Sequence, residues 1–334
     1  MKINIVFDYP SKGYGIHTAF ANHLSVMKGN GKFDVRVNSI KAADICHVHT
    51  IGPLSLFNTL HKSPFIYTYH MTMYEAQYLK MPIGFVSGIM DYVIGRASVV
   101  VAPSPFCKNE VKSNKPVAVI SNGVDMKSLK KSRKRRKEFR ERFGIGGSDT
   151  VVYGIGMLAE KKGIGDFGRL AEAGRKNGIK FVWVGRSFAN INSLSIEELR
   201  KKYPSVIFTG YIEKISDIHS AGDVLLFPSY HEILGIPVLE AAACGNPVVV
   251  RDIPTFDRWL AGGKNCMKFS DEKTMAGSIN EIISNKSLRK KIARNGFATA
   301  KKHDIKSLAK FYERLYDLCH NGEYEEAGCI NSYE

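Results

Sequence analysis

Short apolar runs alternate with helical patterns along both halves of this 334-residue chain. Such alternation is typical of a parallel, doubly wound α/β sheet, because crossover helices cover both faces and leave each strand apolar throughout. The chain is too long for one ordinary hydrophobic core, so two such domains are expected. The predicted strands are Ile3–Phe7, Asp34–Val37, Ile45–Val48, Phe65–Tyr69, Ser98–Ala102 and Val117–Ile120 in the first half, and Thr150–Gly154, Lys180–Val184, Val206–Thr209, Val224–Phe227 and Pro247–Val250 in the second.

The glycine-rich stretch Gly144–Ser148 separates the two halves. Its glycines and the Ser-Asp pair that follows indicate a turn between elements, so we predict one domain over residues 1–145 and a second over residues 146–306. From Asp271 onward the pattern is helical and ends in the acidic sequence EYEEAG. Ligands of open α/β sheets bind at the carboxyl ends of the strands, and two facing domains would form a central cleft there.

The chain has a net charge of +16, which indicates an acidic partner such as nucleic acid, anionic lipid or a phosphorylated substrate. Between Lys127 and Arg142 there are ten Lys or Arg residues against two Glu. This run is either a solvated linker and helix face or a nucleic-acid patch, although Phe139 is its one aromatic residue. We favour a third interpretation, contact with an anionic membrane surface, where each basic residue contributes about 1 kcal/mol.

The six cysteines show neither a C-x-x-C pair nor a metal-binding spacing, which indicates reduced thiols in a cytoplasmic protein. The first residues form a strand pattern without the apolar region and cleavage site of a signal peptide. The most apolar stretch, Met81–Val101, is interrupted by Asp91 and Arg96 and falls short of the ~20 apolar residues of a membrane-spanning helix. We therefore expect a protein that is not integral to a membrane.

The segment Phe227–Val250 indicates a ligand site most strongly. An apolar strand leads into a Gly-Ile-Pro turn and a helix of small residues, so backbone N–H groups and the positive end of a helix dipole are available to a phosphate. Glu232 and Glu240 flank this turn, and ionised carboxylates accept hydrogen bonds from sugar hydroxyls. The pattern predicts a sugar-nucleotide pocket. The alternative is an ordinary solvated Glu at a strand end and a second Glu that the helix dipole favours.

The same segment resembles the donor-site signature of the retaining GT-B glycosyltransferases of family four. The matching residues are Pro228, Ser229, Glu232, Gly235, Pro237, Glu240, Ala241, Gly245, Pro247 and Val248. The resemblance implies two Rossmann-like doubly wound domains facing a central cleft, with the acceptor in the first and the nucleotide-sugar donor in the second. It also implies that the last helices pack back on the N-terminal domain from about residue 307, so that residues 307–334 form a C-terminal helix and acidic tail.

The resemblance implies roles for residues of the second domain. Glu232 would bind hexose hydroxyls, Glu240 would bind the ribose, and Lys162 would stabilise the leaving diphosphate. The family's usual arginine is replaced by Met157, and either Lys161 or Arg186 would supply that charge instead. The turn residues that would contact the diphosphate or the hexose are Gly235, Ile236, Pro237 and Val238.

Candidate residues of the first domain follow its strands. Gly13 and Gly15 lie in a loop whose backbone can approach a ligand closely, and the resemblance implies a contact with the diphosphate or acceptor, although a plain turn is the alternative. His70 resembles a histidine that lines the acceptor side in relatives and would orient the transferred sugar. His47 and His49 point to one face, and we interpret them as structural or cleft-lining. Without a third ligand they are not a metal site.

The sequence VVVRDIPTFDRWLAGGKNC resembles a narrower group, the bacterial synthases of diacylglycerol glycolipids. This resemblance implies retaining transfer of a hexose, expected to be glucose from UDP-glucose, to a lipid such as diacylglycerol or glycosyl-diacylglycerol. The enzyme would be peripheral on the inner face of the plasma membrane. No Asp-x-Asp motif precedes the site, so neither a metal nor another cofactor is expected.

Two alternatives remain. One is a glycosyltransferase with a soluble or polysaccharide acceptor. The other is a noncatalytic, basic, nucleic-acid-binding α/β protein, which we disfavour because a pair of pocket carboxylates would repel a phosphate backbone. No nucleic-acid partner is therefore expected.

Overall fold

The computed structural model describes residues 1–9, 15–29, 31–78, 80–174, 178–187 and 194–334. The chain divides into two compact units. Unit 1 comprises Met1–Gly123 and His303–Glu334, and unit 2 comprises Val124–Lys302. A six-stranded sheet lies in each unit.

The sheet of unit 1 is parallel and its central strands are buried along their whole length, which is why they read as apolar runs. Its strands are β1 Lys2–Val6, β2 Asp34–Val37, β3 Ile45–Val48, β4 Phe65–Thr68, β5 Val99–Ala102 and β6 Val117–Val119, and they pair in the order β2-β1-β3-β4-β5-β6. The first helices of this unit are α1 Gly15–Gly29, α2 Pro53–Asn58, α3 Met73–Tyr78, α4 Ile83–Arg96 and α5 Pro105–Glu110.

Unit 2 repeats the parallel arrangement. Its strands are β7 Thr150–Ile155, β8 Ile179–Val184, β9 Val206–Gly210, β10 Val224–Phe227, β11 Val248–Arg251 and β12 Met267–Phe269, in the order β12-β11-β10-β7-β8-β9. Its helices are α6 Arg133–Arg142, α7 Ile164–Ala173, α8 Ile196–Lys202, α9 Ser216–Ala221, α10 Ile236–Ala243, α11 Glu272–Ser284 and α12 Lys286–Lys302, with short 3₁₀ helices at Glu160–Lys162 and Pro254–Phe256. The sequence analysis did not find β12, which is too short to show a pattern.

The end of the chain completes unit 1 with helices α13 Ile305–Asn321 and α14 Tyr324–Gly328. The apolar face of α13, with Leu308 and Leu315, lies in the same core as Ile5 and Ile45. Beyond α14, Val119 of β6 donates to the carbonyl of Ile330 at 2.8 Å. The acidic tail is therefore folded against the sheet of unit 1.

The division between the units lies after Gly123, earlier than the predicted stretch Gly144–Ser148. The reason is that helix α6, which carries most of the basic run, forms ion pairs with unit 2. Arg136 and Arg140 pair with Asp223 at 3.1 and 2.9 Å. The boundary at residue 145 was therefore wrong, because the glycines form a turn inside unit 2.

The interpretation of the basic run as a solvated linker is also wrong for part of its length. Arg140 is buried, and its guanidinium donates to the carbonyls of Ala221 and Gly146 as well as to Asp223. Within the described residues, every helix is too short or too polar to span a lipid bilayer.

Candidate functional site

The turn between β10 and α10 depends on Gly235. Its φ of 82° lies in the left-handed region that favours glycine, and a Cβ there would lie 2.9 Å from Cε1 of Phe256. In the described part of the chain no side chain caps α10, so its positive end is open toward the loop that precedes it.

The predicted amide donors of this turn are fewer than expected. Pro237 has no N–H group, and the amide of Val238 donates to the carbonyl of Gly235 at 2.9 Å. The amides of Gly235 and Ile236 are the two that this turn can offer to a ligand.

Lys162 and Glu232, which are distant in sequence, lie side by side. The Lys162 ammonium donates to Oε1 of Glu232 at 2.6 Å. The approach depends on Gly163, whose φ is 71°, because a Cβ there would lie 2.2 Å from the carbonyl oxygen of Pro228. Glu232 is 8% exposed and Glu240 is 9% exposed, so both carboxylates face restricted space rather than bulk solvent.

A buried arginine at the end of β11 holds the loop after β10. Arg251 donates to the carboxylate of Asp166 in α7 and to the carbonyl of Pro228, the latter at 3.0 Å. Its guanidinium lies 4.0 Å from the ring centroid of Tyr230, whose hydroxyl donates to Asp166 at 2.7 Å. The sequence analysis missed this network. The one available signal was a charged residue that ends a strand otherwise made of valines.

Glu240 faces a buried histidine whose protonated nitrogen can be assigned. Asn246 Nδ2 donates to the carbonyl of His219 at 2.9 Å and to the hydroxyl oxygen of Tyr153 at 2.7 Å. Asn246 Nδ2 cannot accept the Tyr153 proton, and a buried hydroxyl proton needs an acceptor, so this proton is directed to His219 Nδ1, 2.9 Å away. His219 therefore carries its proton on Nε2.

The Nε2 nitrogen of His219 lies 3.7 Å from Oε2 of Glu240, beyond hydrogen-bond length. Among the described residues this buried nitrogen has no hydrogen-bond partner. It is a donor aimed at the carboxylate that the sequence predicts to bind the ribose, and it was not singled out from the sequence.

The two candidates for the charge missing at Met157 lie in different environments. Lys161 is buried, and its carbonyl accepts from the amide of Tyr230 at 2.9 Å. Arg186 is exposed at the end of β8, with its guanidinium 5.1 Å from the ring centroid of Tyr211.

The glycine candidates of unit 1 are only partly described. Gly13 lies outside the described residues. Gly15 is the first residue of α1, and a Cβ there would meet open space. Because a side chain would fit there, close packing does not explain the glycine at position 15.

His70 belongs to a buried cluster in unit 1. Its Nε2 lies 3.0 Å from Nδ1 of His49, and His49 Nε2 lies 2.7 Å from Nδ1 of His23 in α1. Burial lowers the pKa of His70 and of His23 to about 3, and that of His49 well below its usual range. These rings are therefore neutral at physiological pH.

The expectation that His47 and His49 lack a third histidine was wrong. One ring nitrogen each of His23, His47 and His49 lies within 4.8 Å of the others. His23 was missed because a helical pattern does not show which strands a helix covers.

Comparison with known proteins agrees with this architecture. The family model for glycosyl transferases group 1 matches residues 135–299, and the model for glycosyltransferase family 4 matches residues 30–128. The chain is 25% identical over 320 residues to the processive diacylglycerol alpha-glucosyltransferase of Acholeplasma laidlawii, covering 91% of this chain and 94% of the relative. It is 28% identical to the alpha-galactosylglucosyldiacylglycerol synthase of Streptococcus pneumoniae, covering 90% and 86%.

Solved structures show the same fold. Anabaena HepE in complex with UDP-glucose superposes with a TM-score of 0.76 at 18% identity, covering 95% of this chain and 100% of that one. The sucrose-phosphate synthase from Thermosynechococcus elongatus gives a TM-score of 0.78 at 15% identity, covering 95% and 98%.

The fold is therefore GT-B, with two Rossmann-like domains, as predicted. The models for glycosyl transferases group 1 and for glycosyltransferase family 4 together match most of the chain's length, and the chain is a GT-B glycosyltransferase homologous to bacterial glycolipid synthases.

Proposed function

We propose that this enzyme transfers glucose from UDP-glucose to a membrane lipid, diacylglycerol or glycosyl-diacylglycerol, with retention of the anomeric configuration. The observation that carries the proposal is the geometry around the β10–α10 turn. There Glu232, the amide of Gly235 and the carboxylate of Glu240 belong to one loop–helix junction of unit 2, and Lys162 pairs with Glu232. Cations and amides suit the diphosphate, and carboxylates suit sugar hydroxyls.

Each residue of this junction has a role in the proposal. Glu232 accepts from hexose hydroxyls and Glu240 from ribose hydroxyls. Lys162 and the amides of Gly235 and Ile236 stabilise the charge that grows on the diphosphate as its bond to the sugar breaks. Arg186 supplies the second cation, and no metal or other cofactor is required.

The configuration of the donor and the name of a relative support retention. UDP-glucose carries glucose in the α configuration, and the enzyme from A. laidlawii is named an alpha-glucosyltransferase. An α-linked product from this donor keeps the configuration. The acceptor oxygen bonds to the anomeric carbon on the face that the diphosphate leaves, and the acceptor proton passes to a diphosphate oxygen.

In unit 1 we assign His70 to orient the transferred sugar. A neutral imidazole can either accept from a sugar hydroxyl or donate to one, depending on which nitrogen is protonated. His70 is neutral because it is buried, and it is the second residue after strand β4.

An exposed apolar face of unit 1 supports a membrane acceptor. Helix α4 buries Val86 and Met90 but leaves Phe85 68% and Tyr92 48% exposed. The Tyr92 hydroxyl lies 3.1 Å from Oγ1 of Thr59, which is followed by the exposed Leu60. We place the contact with the inner leaflet here, with the exposed basic residues of α6 as a second contribution.

The decisive experiment incubates the purified chain with a panel of nucleotide sugars and vesicles that contain diacylglycerol and an anionic lipid. The expected product is α-glucosyl-diacylglycerol from UDP-glucose, identified by mass and anomeric NMR. Product from a soluble or polysaccharide acceptor alone would contradict the lipid assignment.

Vesicle sedimentation tests the proposed contact surface. Phe85→Ser is expected to weaken binding more than tenfold, since burial of a Phe side chain contributes about 1.5–3 kcal/mol. The control Lys134→Ala in α6 should cost about 1 kcal/mol or less. If the Lys variant has the larger effect, the basic run and not α4 is the membrane contact.

A further inference from the structure

An unbroken chain of hydrogen bonds links buried groups of unit 1, and we call it the histidine chain. In order, its members are His70, His49, His23, Tyr316, His47 and Thr68. The consecutive donor–acceptor distances from His70 are 3.0, 2.7, 2.8, 2.8 and 2.7 Å. Strand β3 with the residue that follows it, helices α1 and α13, and strand β4 with the two residues that follow it contribute to it.

Every histidine of the chain is neutral. Burial lowers the pKa of His23 and His70 to about 3 and those of His47 and His49 well below the ordinary value. A neutral imidazole has one N–H donor and one unprotonated acceptor, and a hydroxyl has one proton to donate. Each link therefore needs a donor on one side and an acceptor on the other.

These requirements couple the four rings. If His70 carries its proton on Nε2, it donates to His49 Nδ1, His49 donates to His23, and His23 donates to the Tyr316 hydroxyl. The Tyr316 proton then has His47 Nδ1 as its acceptor in the chain, because a buried hydroxyl proton without an acceptor is costly, and His47 donates to Thr68. All four histidines then carry the proton on Nε2. In the opposite order Thr68 donates to His47 Nε2, and all four histidines carry the proton on Nδ1.

We propose that the histidine chain positions His70 for catalysis by setting whether its Nδ1 presents an acceptor or a donor to the sugar. The inference depends on the role assigned to His70 in the proposed function. Isolated neutral imidazole side chains favour the Nε2–H form, so the free enzyme adopts the order with four such rings. His70 Nδ1 is then an acceptor, which orients a sugar hydroxyl as a donor toward it.

A bound metal ion is the competing use of this cluster. Three histidine nitrogens within 4.8 Å would suit zinc in number. However, both ring nitrogens of His23, His47 and His49 already take part in hydrogen bonds, and the 2.7 Å between His23 and His49 is a hydrogen-bond distance. The hydrogen-bonded chain accounts for every one of these nitrogens, and a metal would have to displace several links.

The test reads the tautomer of His70 directly, by ¹⁵N NMR of the full chain labelled at histidine, with His70→Asn used for assignment. In the wild type, Nδ1 of His70 should be unprotonated. Tyr316→Phe leaves His23 Nε2 facing a ring carbon. A buried N–H without an acceptor is costlier than an unpaired acceptor nitrogen, so His23 should move its proton to Nδ1. His49 and His70 must follow, and the ¹⁵N pattern of His70 inverts.

The matched control is Tyr312→Phe. Tyr312 lies one turn earlier on α13 and stacks on His23 at 4.2 Å between ring centroids, but it is not a member of the chain. This variant should leave the His70 pattern unchanged. Loss of the Tyr316 hydroxyl should also lower kcat without changing the KM for donor, whereas Tyr312→Phe should change neither.

An unchanged His70 pattern in folded Tyr316→Phe overturns the proposal. If that variant does not fold, Thr68→Val tests the chain from its other end, and the same inversion at His70 is expected. Stoichiometric binding of added Zn²⁺ that shifts His23, His47 and His49 together would replace the proposal with a metal site. The NMR measurement needs no substrate, so the two proposals can fail separately. If the wild type does not transfer glucose but the His70 pattern inverts in Tyr316→Phe, only the proposed function is refuted. If the wild type transfers glucose but the His70 pattern is unchanged in Tyr316→Phe, only this inference is refuted.

Discussion

Both units contain buried histidines linked to tyrosines, but the two arrangements differ in what fixes their protons. In unit 2, Asn246 can only donate through its amide nitrogen, so the Tyr153 hydroxyl must point to His219 and one order results. In unit 1 the histidine chain ends at the hydroxyl of Thr68, which can both donate and accept. The amide of Asn246 therefore fixes the positions of the protons in unit 2, whereas the hydroxyl of Thr68 allows either order of protons in unit 1.

The units also differ in charge. Unit 2 places ionised pairs around its candidate site, Lys162 with Glu232 and Arg251 with Asp166. In unit 1 the histidine chain consists of neutral imidazole rings and hydroxyl groups. The properties of unit 2 should therefore change most when a charge is removed, and the stability of unit 1 should change most with pH.

The largest expected effect is on the stability of unit 2. Arg251→Met leaves the buried Asp166 without its buried cationic partner, which should cost about 3–5 kcal/mol in the free energy of unfolding, measured with urea. The control is Arg169→Ala. Arg169 also contacts Asp166 but has a side chain that is 49% exposed, so the loss should be about 0–1 kcal/mol. Equal losses of stability in the two variants would show that both arginines stabilise Asp166 to the same extent and that the burial of Arg251 makes no difference.

Removal of the Lys162 charge should have the next largest effect. Lys162→Met is expected to lower kcat about 10²–10³-fold, because one preorganised cation facing a developing anion contributes about 2.7–4 kcal/mol. Steady-state kinetics with UDP-glucose measures this, with the exposed Lys201→Met of α8 as the control. An unchanged kcat would remove Lys162 from the donor site.

These two variants also show what the sequence could and could not predict. Lys162, Glu232 and Glu240 were predicted because each lies in a local motif next to a strand end. Arg251 and Asp166 were missed because their contact joins positions 85 residues apart, and nothing local to either residue records it.

The fold was predictable for a related reason. Apolar strands and amphipathic helices leave a pattern wherever they occur, so both sheets were found. The predicted domain boundary was wrong near α6, since a basic sequence resembles a solvated linker. The pairing of α6 with the distant Asp223 leaves no pattern in the local sequence.

Acid should destabilise unit 1 before unit 2. His23 and His70 have pKa values of about 3 in the folded chain, below the ordinary 6.5, so the unfolded chain binds more protons between these values. Stability is therefore complete above pH 6.5 and falls as pH decreases toward 3, by up to about 1.4 kcal/mol per pH unit for each histidine.

The chain provides separate probes for this comparison. Trp183 and Trp259, the two tryptophans, both lie in unit 2, so their fluorescence follows that unit. Hydrogen exchange at β3 and β4, corrected for the intrinsic rate, follows unit 1. Protection should fall in β3 and β4 between pH 6.5 and 5 while the fluorescence stays native. If the fluorescence signal is lost before the protection in β3 and β4 falls, the buried histidines do not limit acid stability.

The smallest expected effect tests the fixed order in unit 2. Tyr153→Phe removes the proton that holds His219 in its Nε2–H form, so the nitrogen facing Glu240 loses its donor character in part of the population. The KM for UDP-glucose should rise by less than about tenfold with kcat unchanged, because the 3.7 Å contact between His219 Nε2 and Glu240 is weaker than a hydrogen bond, which contributes about 0.5–1.5 kcal/mol, and the ribose contact is equal in ground and transition states. Tyr312→Phe in unit 1, the same deletion of a buried hydroxyl, should leave this KM unaltered. If Tyr153→Phe instead lowers kcat at constant KM, Glu240 acts on the reacting sugar and not on the ribose, and the roles assigned to the two carboxylates must be exchanged.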